Sequence, residues 1–322
     1  MARANAAYYA GRDPFADFTT APEITQAFGE VLGAWAAVSW QLLGRPDPVI
    51  LAEAGPGRGT LMADALRVIG KVAPDFRAAL RVHLIETSPR LRAIQAQRLP
   101  GAVAGWHDSL DTLPEAPLLL LANEFLDALP IRQFIRRGDG WTEYFVGPHG
   151  FEEHPSPLQD QPQDRLANEG EIVEICEPAR AIAGQLAARL RRRPGMALFL
   201  DYGPAESAPG NSLQALRDGK AADPLAEPGT ADLTAHVDFA DLARTAQAAG
   251  AAVHGPLPQG IFLARLGLFQ RTDRLAQTLP PARASALIES ARRLAEPDRM
   301  GRLFKALVVC HAGIPVPPGF EA

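Results

Sequence analysis

The feature that most limits how this chain can fold is the passage from Val49 to Gly59. A short apolar run, Val49-Ile-Leu-Ala52, stops at Glu53-Ala-Gly-Pro-Gly-Arg-Gly59, and Leu61, Met62, Ala65, Leu66 and Ile69 then follow at helical spacing. This reads as strand, glycine turn and helix. Arg81-Val-His-Leu-Ile-Glu86 reads as a second strand ending in an acid, and a helix is predicted over 89–98 before Pro100 breaks it. Residues 118–122 and 197–200 are continuous apolar runs that end at Asn123-Glu124 and at Asp201-Tyr202-Gly203. A strand covered on both faces loses the alternation of a half-exposed one, so these runs predict a buried parallel sheet.

Between those two runs, 131–135 and 141–146 flank Gly138-Asp139-Gly140 and read as a β-hairpin, with 172–176 as a third strand. Residues 155–162 and 204–228 are polar and proline-rich and read as long surface loops. A helix near 238–249, apolar helical patterns at 261–269 and 284–294, and a last strand at 304–310 complete the chain. One αβα domain covers the sequence on this reading. It has an N-terminal helical segment (20–44), a core (48–130 and 171–256), a β insertion (131–170), a helical insertion (257–300) and the last strand (303–311).

The 322 residues are 47% hydrophobic and 21% charged, enough for a large core, and the formal charge is −5. With arginines spread along the chain there is no basic field for phosphates, and nucleic acid is excluded as a main partner. Cys176 and Cys310 lie far apart without metal-ligand spacing, so neither a disulfide framework nor a metal site is expected. No apolar run is long enough to span a bilayer, and residues 1–20 lack the apolar stretch of a signal peptide, so a reducing, cytoplasmic setting is expected.

A glycine turn after a strand lets a ligand approach the backbone and aims amides at it. Here the spacing is acid-x-Gly-x-Gly-x-Gly, with Glu53, Gly55, Gly57 and Gly59, unlike the dinucleotide pattern G-x-G-x-x-G. A carboxylate at Glu53 would repel a pyrophosphate but hold an ammonium, and Glu86 is placed for the two hydroxyls of a ribose. S-adenosylmethionine carries both groups. Asp108, next to Trp106, is the candidate for the adenine amine. Alternatively, the glycines are only a tight connection and Glu86 a solvated loop acid, and the stretch around Asp108 is a capped loop with Trp106 in the core.

For the acceptor, Glu124 and Asp127 stand three apart after the fourth strand; on a helical turn they would share a face and clamp a guanidinium. Asn123 could instead orient an amine, and His236 with Asp238 could remove a proton. More plainly, Glu124 and Asp127 are helix-start charges, Asp238 is an N-cap and His236 packs in a loop. Asp201-Tyr202 is either an acceptor contact or fold support. Thr20-Ala-Pro-Glu-Ile-Thr25 reads as a helix start, with Phe28, Leu32 and Trp35 as core and Glu23 able to close over the cofactor.

At Tyr8-Tyr9, residues 19–30, Glu53-Ala-Gly-Pro-Gly-Arg-Gly-Thr-Leu-Met-Ala-Asp64 and Asn123-Glu-Phe-Leu-Asp-Ala-Leu-Pro130, the sequence resembles the MidA-like methyltransferase family. The resemblance continues through Asp201-Tyr-Gly203, 232–239 and 303–307, and so covers nearly the whole chain. It implies a Rossmann-like class I methyltransferase fold, an αβα sandwich on a mainly parallel seven-stranded sheet. S-adenosylmethionine is implied at Gly55 to Gly59, with Glu86 on the ribose. The mitochondrial members are arginine methyltransferases that help assemble respiratory complex I, so an arginine-containing protein, such as a complex I subunit, is the implied partner. An exposed stripe on the helices of 261–294 would mark docking of that protein or of a second copy in a homodimer. The family pattern departs at residues 15–18, where a glycine-rich link is shortened, and before Tyr8, where relatives carry a helical region; a less complete cap over the cofactor is expected. The competing functions are a non-catalytic assembly factor on the same fold and a nicotinamide-dependent oxidoreductase.

Overall fold

A computed structural model describes residues 1–11 and 19–321; the shortened link at 15–18 lies outside the described residues. The chain opens with α1 (Ala2–Gly11), α2 (Ala21–Ile24) and α3 (Gln26–Leu42). The predicted N-terminal helix is thus broken at Thr25, which is extended and caps α3 by accepting from the amide of Ala27. Phe28, Leu32 and Trp35 are fully buried on α3, as core.

β1 (Val49–Ala54), α4 (Thr60–Val72), α5 (Pro74–Ala79), β2 (Leu80–Ile85), α6 (Pro89–Arg98), β3 (Val103–His107) and β4 (Leu118–Asn123) then alternate. After β4 come four strands of a separate antiparallel sheet: β5 (Arg132–Arg137), β6 (Gly140–Gly147), β7 (Gly150–Pro155) and β8 (Ile172–Ile175), in the order β7-β6-β5-β8. The predicted hairpin is β5 and β6. The sequence reading misses β7 because its side chains are exposed and polar, with no buried face to impose alternation. β8 pairs with β5, so this sheet extends past residue 170.

α7 (Glu177–Arg192) leads into β9 (Gly195–Tyr202). The segment expected as a long loop folds instead into a small sheet of β10 (Gln214–Arg217), β11 (Lys220–Ala222) and β12 (Asp232–Thr234). Its strands are only three or four residues long, too short to leave a periodic trace. α8 (Phe239–Ala248), capped by Asp238, and β13 (Ala252–Pro258) follow. Then come α9 (Gln259–Arg265), α10 (Leu268–Ala276), α11 (Pro281–Ala295), α12 (Met300–Leu303) and the last strand, β14 (Phe304–Cys310).

Seven strands form the central sheet in the order β13-β14-β9-β4-β1-β2-β3. All neighbours are parallel except those of β14, which runs antiparallel to both β9 and β13. The apolar run of β4 is explained by burial on both faces. Leu119 and Leu121 pack with α3, α4 and the helices before β14, whereas Leu118 and Leu120 pack with α7 and α8. Phe262, Leu263, Leu268 and Leu294 of the helical insertion belong to the first core, and Ile261, Phe269 and Ile288 are exposed. Among the described residues no helix is long and apolar enough to cross a membrane.

α3 and α4 cross at small residues. A side chain at Gly33 would come within 2.7 Å of the Cα and carbonyl oxygen of Ala65, backbone that cannot step aside. Gly70 on α4 faces open space. Gly33→Val is therefore expected to cost at least about 1–3 kcal/mol by overpacking, and Gly70→Ala to be neutral or slightly stabilising. Denaturant unfolding of the two variants beside wild type checks the contrast.

Candidate active site

The C-terminal ends of β1, β2 and β4 open on one crevice of about 570 Å³, where a doubly wound sheet places its ligand. Gly55, Gly57 and Gly59 follow β1 with φ of 63°, 51° and 76°, the left-handed region that favours glycine. At Gly55 the approach is also steric, because a Cβ there would meet the Phe125 ring at 3.0 Å. The turn is held from below by Gln95, whose amide donates to the carbonyl of Gly57 at 2.8 Å.

Glu53 lines the crevice, is only 3% exposed, and its Oε2 has no hydrogen-bond partner among the described residues. Burial pushes its carboxyl up to about 8, against the pull of the Met62 amide. Asn123 Oδ1, in the same lining, is likewise buried and unpartnered. Two unpaired acceptors in one crevice call for a ligand rich in donors, and an ammonium supplies charge as well. Glu86 stands after β2, with Oε1 accepting from the Ser88 amide at 2.8 Å and Oε2 from Gln95 at 3.3 Å. Burial raises its carboxyl while these bonds lower it.

The crevice is also walled by α1, through Asn5 and Tyr9, and by Glu23 of α2, which bonds Thr60 at the start of α4. α1 is tied across the site: Asn5 donates to the carbonyls of Ala128 and Leu233 at 2.9 and 2.8 Å, and Ser88 donates to that of Tyr9 at 3.2 Å. Asn5 and Tyr9 are the wall residues that the sequence reading overlooked as site candidates. Asp108 does not join them; its side chain is 79% exposed and pairs with Arg92 at 2.6 Å, outside the lining. Trp106 packs in the core and donates to Gln95 at 2.9 Å.

The segment after β4 is a turn and not a helix, with Glu124 at φ 47°. The helical face expected for Glu124 and Asp127 therefore does not exist. The turn wraps instead around Asp201, whose Oδ2 accepts from the amides of Phe125, Leu126 and Asp127 at 3.1, 2.9 and 3.3 Å. Asp201 Oδ1 takes the Tyr202 amide at 2.9 Å, so Asp201 supports the fold of the site. This arrangement brings Glu124 and Asp127 together by another route. Both line a second pocket of about 230 Å³ with Asp232, Tyr9 and Tyr202. Tyr9 and Glu124 belong to both linings.

Glu124 Oε1 accepts from the Ala21 amide at 3.0 Å and from Asn123 at 3.1 Å. The Tyr9 hydroxyl donates to Asp232 Oδ1 at 2.9 Å. Burial lifts the Asp127 carboxyl well above the carboxylate range, and the facing Asp201, Glu124 and Asp232 lift it further. Burial raises Asp201 as well, to about 7, but its four amides oppose this, so of the two carboxyls Asp127 is the more strongly raised.

His236 stands apart. It lines neither pocket, is exposed, and meets the Tyr202 ring edge-on at 5.6 Å from the far side. Its partner in the proton-removal reading, Asp238, caps α8 by accepting from the Asp241 amide and pairs with Arg165 at 3.0 Å. The plainer reading of both residues is the observed geometry.

The fold and crevice define the class I arrangement for a cofactor with a ribose and a cationic tail, set beside an acidic pocket. Residues 31–257 match the family described as S-adenosyl-L-methionine-dependent methyltransferases. Protein arginine methyltransferase NDUFAF7 homolog, mitochondrial, of Drosophila melanogaster is 34% identical, covering 94% of this chain and 78% of its own. The Homo sapiens protein of that name is 33% identical, with 92% and 75% covered. A Burkholderia thailandensis protein solved bound to S-adenosyl-homocysteine superposes with a TM-score of 0.77 at 25% identity, over 97% of this chain and 84% of that one. The chain belongs to the MidA-like family of S-adenosylmethionine-dependent methyltransferases.

The unpaired acceptors fit the cofactor's ammonium, and a proton linkage follows. Below about 8 the free Glu53 carboxyl holds its proton, and a bound ammonium favours the ionised form, so binding expels that proton. Affinity for S-adenosylhomocysteine, which has the same amino-acid tail, should rise by up to about tenfold per pH unit on approaching 8 and then level off. Calorimetry in buffers of different ionisation enthalpy reads the released proton directly, and Glu53→Gln should remove both the release and the slope.

Proposed function

We propose that this protein transfers the methyl group of S-adenosylmethionine to an arginine side chain of another protein, with the acidic pocket as acceptor site. The observation that carries this reading is the position of Glu124 and Asp127 in one pocket that shares Tyr9 and Glu124 with the cofactor crevice. A guanidinium is a planar cation with five N–H donors, and paired carboxylates bind it through charge-assisted, directional bonds. The NDUFAF7 relatives, named protein arginine methyltransferases, support the same acceptor chemistry. By that resemblance the target is a subunit of respiratory complex I or a related protein, met in the bacterial cytoplasm.

The cofactor supplies the methyl on a sulfonium, so the reaction needs no metal, and the protein's task is alignment. In the proposed division of roles, Glu53 and Asn123 take the ammonium, the glycine turn admits the cofactor to the backbone, and Glu86 takes the ribose hydroxyls. Glu124 and Asp127 hold the guanidinium and turn one nitrogen toward the crevice. Asp127 begins protonated, so the arriving cation is matched by loss of that proton.

Incubation with labelled S-adenosylmethionine and purified complex I subunits, followed by mass spectrometry, tests the reading. Methylated arginine is expected in wild type. Glu124→Gln and Asp127→Asn should each lower turnover by at least about 100-fold, with S-adenosylhomocysteine binding kept within a few-fold. Retained turnover in both variants would sink the clamp, and label only on other residue types would sink the arginine assignment.

A further inference from the structure

Beside the acidic pocket lies a larger one of about 540 Å³, bordered by Leu303, His236 and Arg302. Leu303 lines both pockets and is 47% exposed, an apolar ridge between them. Tyr202 lines the acidic pocket, and its ring meets edge-on, at 5.6 Å, that of His236, which lines the larger one. A chain whose arginine entered the acidic pocket would have to leave it over a rim, and this ridge is an apolar one.

The charges around the larger pocket are nearly all committed. Lys305 is 9% exposed and its Nζ donates to the carbonyls of Gly203, Arg302 and Leu303 at 3.0, 2.6 and 2.9 Å. Glu174 Oε1 accepts from Gln133 and from the amides of Ser212 and Leu213. Asp238 caps its helix and pairs with Arg165, and Arg299 pairs with Glu289 and Glu296. Asp298 lies beside Arg299, which it helps keep charged. That leaves Arg302, exposed in the last turn of α12, whose guanidinium makes no ion pair among the described residues. His236 sits in the same lining with an exposed imidazole.

Resting on the acceptor assignment above, we propose that this pocket is a specificity subsite for an acidic residue flanking the target arginine. The acceptor chain crosses Leu303, and its carboxylate meets Arg302, with His236 as a second donor. The two pockets then read opposite charges: a cation beside the cofactor and an anion beyond the ridge. Arg302 is a docking residue here, remote from the reacting atoms.

The test uses the full chain, S-adenosylmethionine and peptides with one arginine in a glycine–serine background, carrying Glu, Gln or Lys at each flanking position in turn. At one position or two adjacent ones, Glu is expected to lower KM about three- to tenfold relative to Gln, with kcat little changed. Arg302→Gln should erase that difference, and Arg302→Glu should invert it toward Lys. The Arg302 side chain makes no hydrogen bond or ion pair among the described residues, and S-adenosylhomocysteine binding verifies that each variant is folded. Methylation without positional preference, or a preference that survives Arg302→Gln, overturns the subsite alone. Failure of every peptide to be methylated while the cofactor still binds overturns the arginine assignment, and the subsite with it.

Discussion

The site depends on one buried anion. Asp201, 1% exposed at the end of β9, collects the amides of residues 125–127 on a single oxygen. Each such bond contributes about 1.5–3 kcal/mol when the acceptor is ionised. Everything that distinguishes the active face hangs from the turn it holds. Phe125 backs the glycine turn at Gly55, and Glu124 reaches Ala21 at the start of α2. Asp127 receives the Ala235 amide at 3.0 Å, and Ala128 receives Asn5 of α1. Strand β4 could not supply this turn alone, because Glu124 adopts a backbone conformation that costs a non-glycine residue about 1–3 kcal/mol. The amides drawn to Asp201 over-determine it.

The same constraint explains why so many acids share so little space. Asp127, Asp201, Asp232 and Glu53 are all nearly buried, and Glu124 stands among them. Uncompensated ionised carboxylates in such a setting would cost several kcal/mol apiece, so the ligand-free protein keeps protons on the least supported of them. Burial raises Asp201 to about 7 against the pull of its amide cradle; Glu53 and Asp127 lack that cradle and are raised further. On the proposed reading this is a store of negative charge that ionises when cations arrive, arranged in two places for two cations.

Much of this was legible in the sequence, for identifiable reasons. β1, β4 and β9 show as apolar runs because both faces are buried, and the acids and glycines at the ends of these strands and of β2 mark the crevice without any structure. The clamp of Glu124 and Asp127 is conditional on a helical turn, which acids three apart suit, and nothing local reveals that Asp201, 74 residues away from Asp127, is pulling the backbone the other way. Asn5, Tyr9 and Asp232 entered the site only through tertiary packing: α1 lies against β12, and Tyr9 bonds Asp232 across 223 residues of chain. The misplacement of Asp108 and His236 has the complementary cause. Both follow strands, as the crevice acids do, but Asp108 pairs with Arg92 at the exposed end of β3, and His236 follows a strand of the small sheet and packs against the Tyr202 ring.

The position of Glu124 between the two pockets carries the electrostatic argument furthest. On the proposed reading a sulfonium and a guanidinium must approach to bonding distance, and two unit charges at about 4 Å repel by several kcal/mol at the effective dielectric of a protein surface. A carboxylate that lines both compartments is attracted to both cations and offsets their repulsion at close range. Glu124 is held for that position by the Ala21 amide and by Asn123, so little reorganisation accompanies the encounter. As the methyl passes to nitrogen the sulfur loses its charge and the guanidinium sheds one N–H proton, so it stays a monocation; on this reading the ionised Asp127, beside Asp232 in the acceptor pocket, takes that proton. The acids are thus distributed along the path of the charge, and the strained turn after β4 is what sets Glu124 at its midpoint.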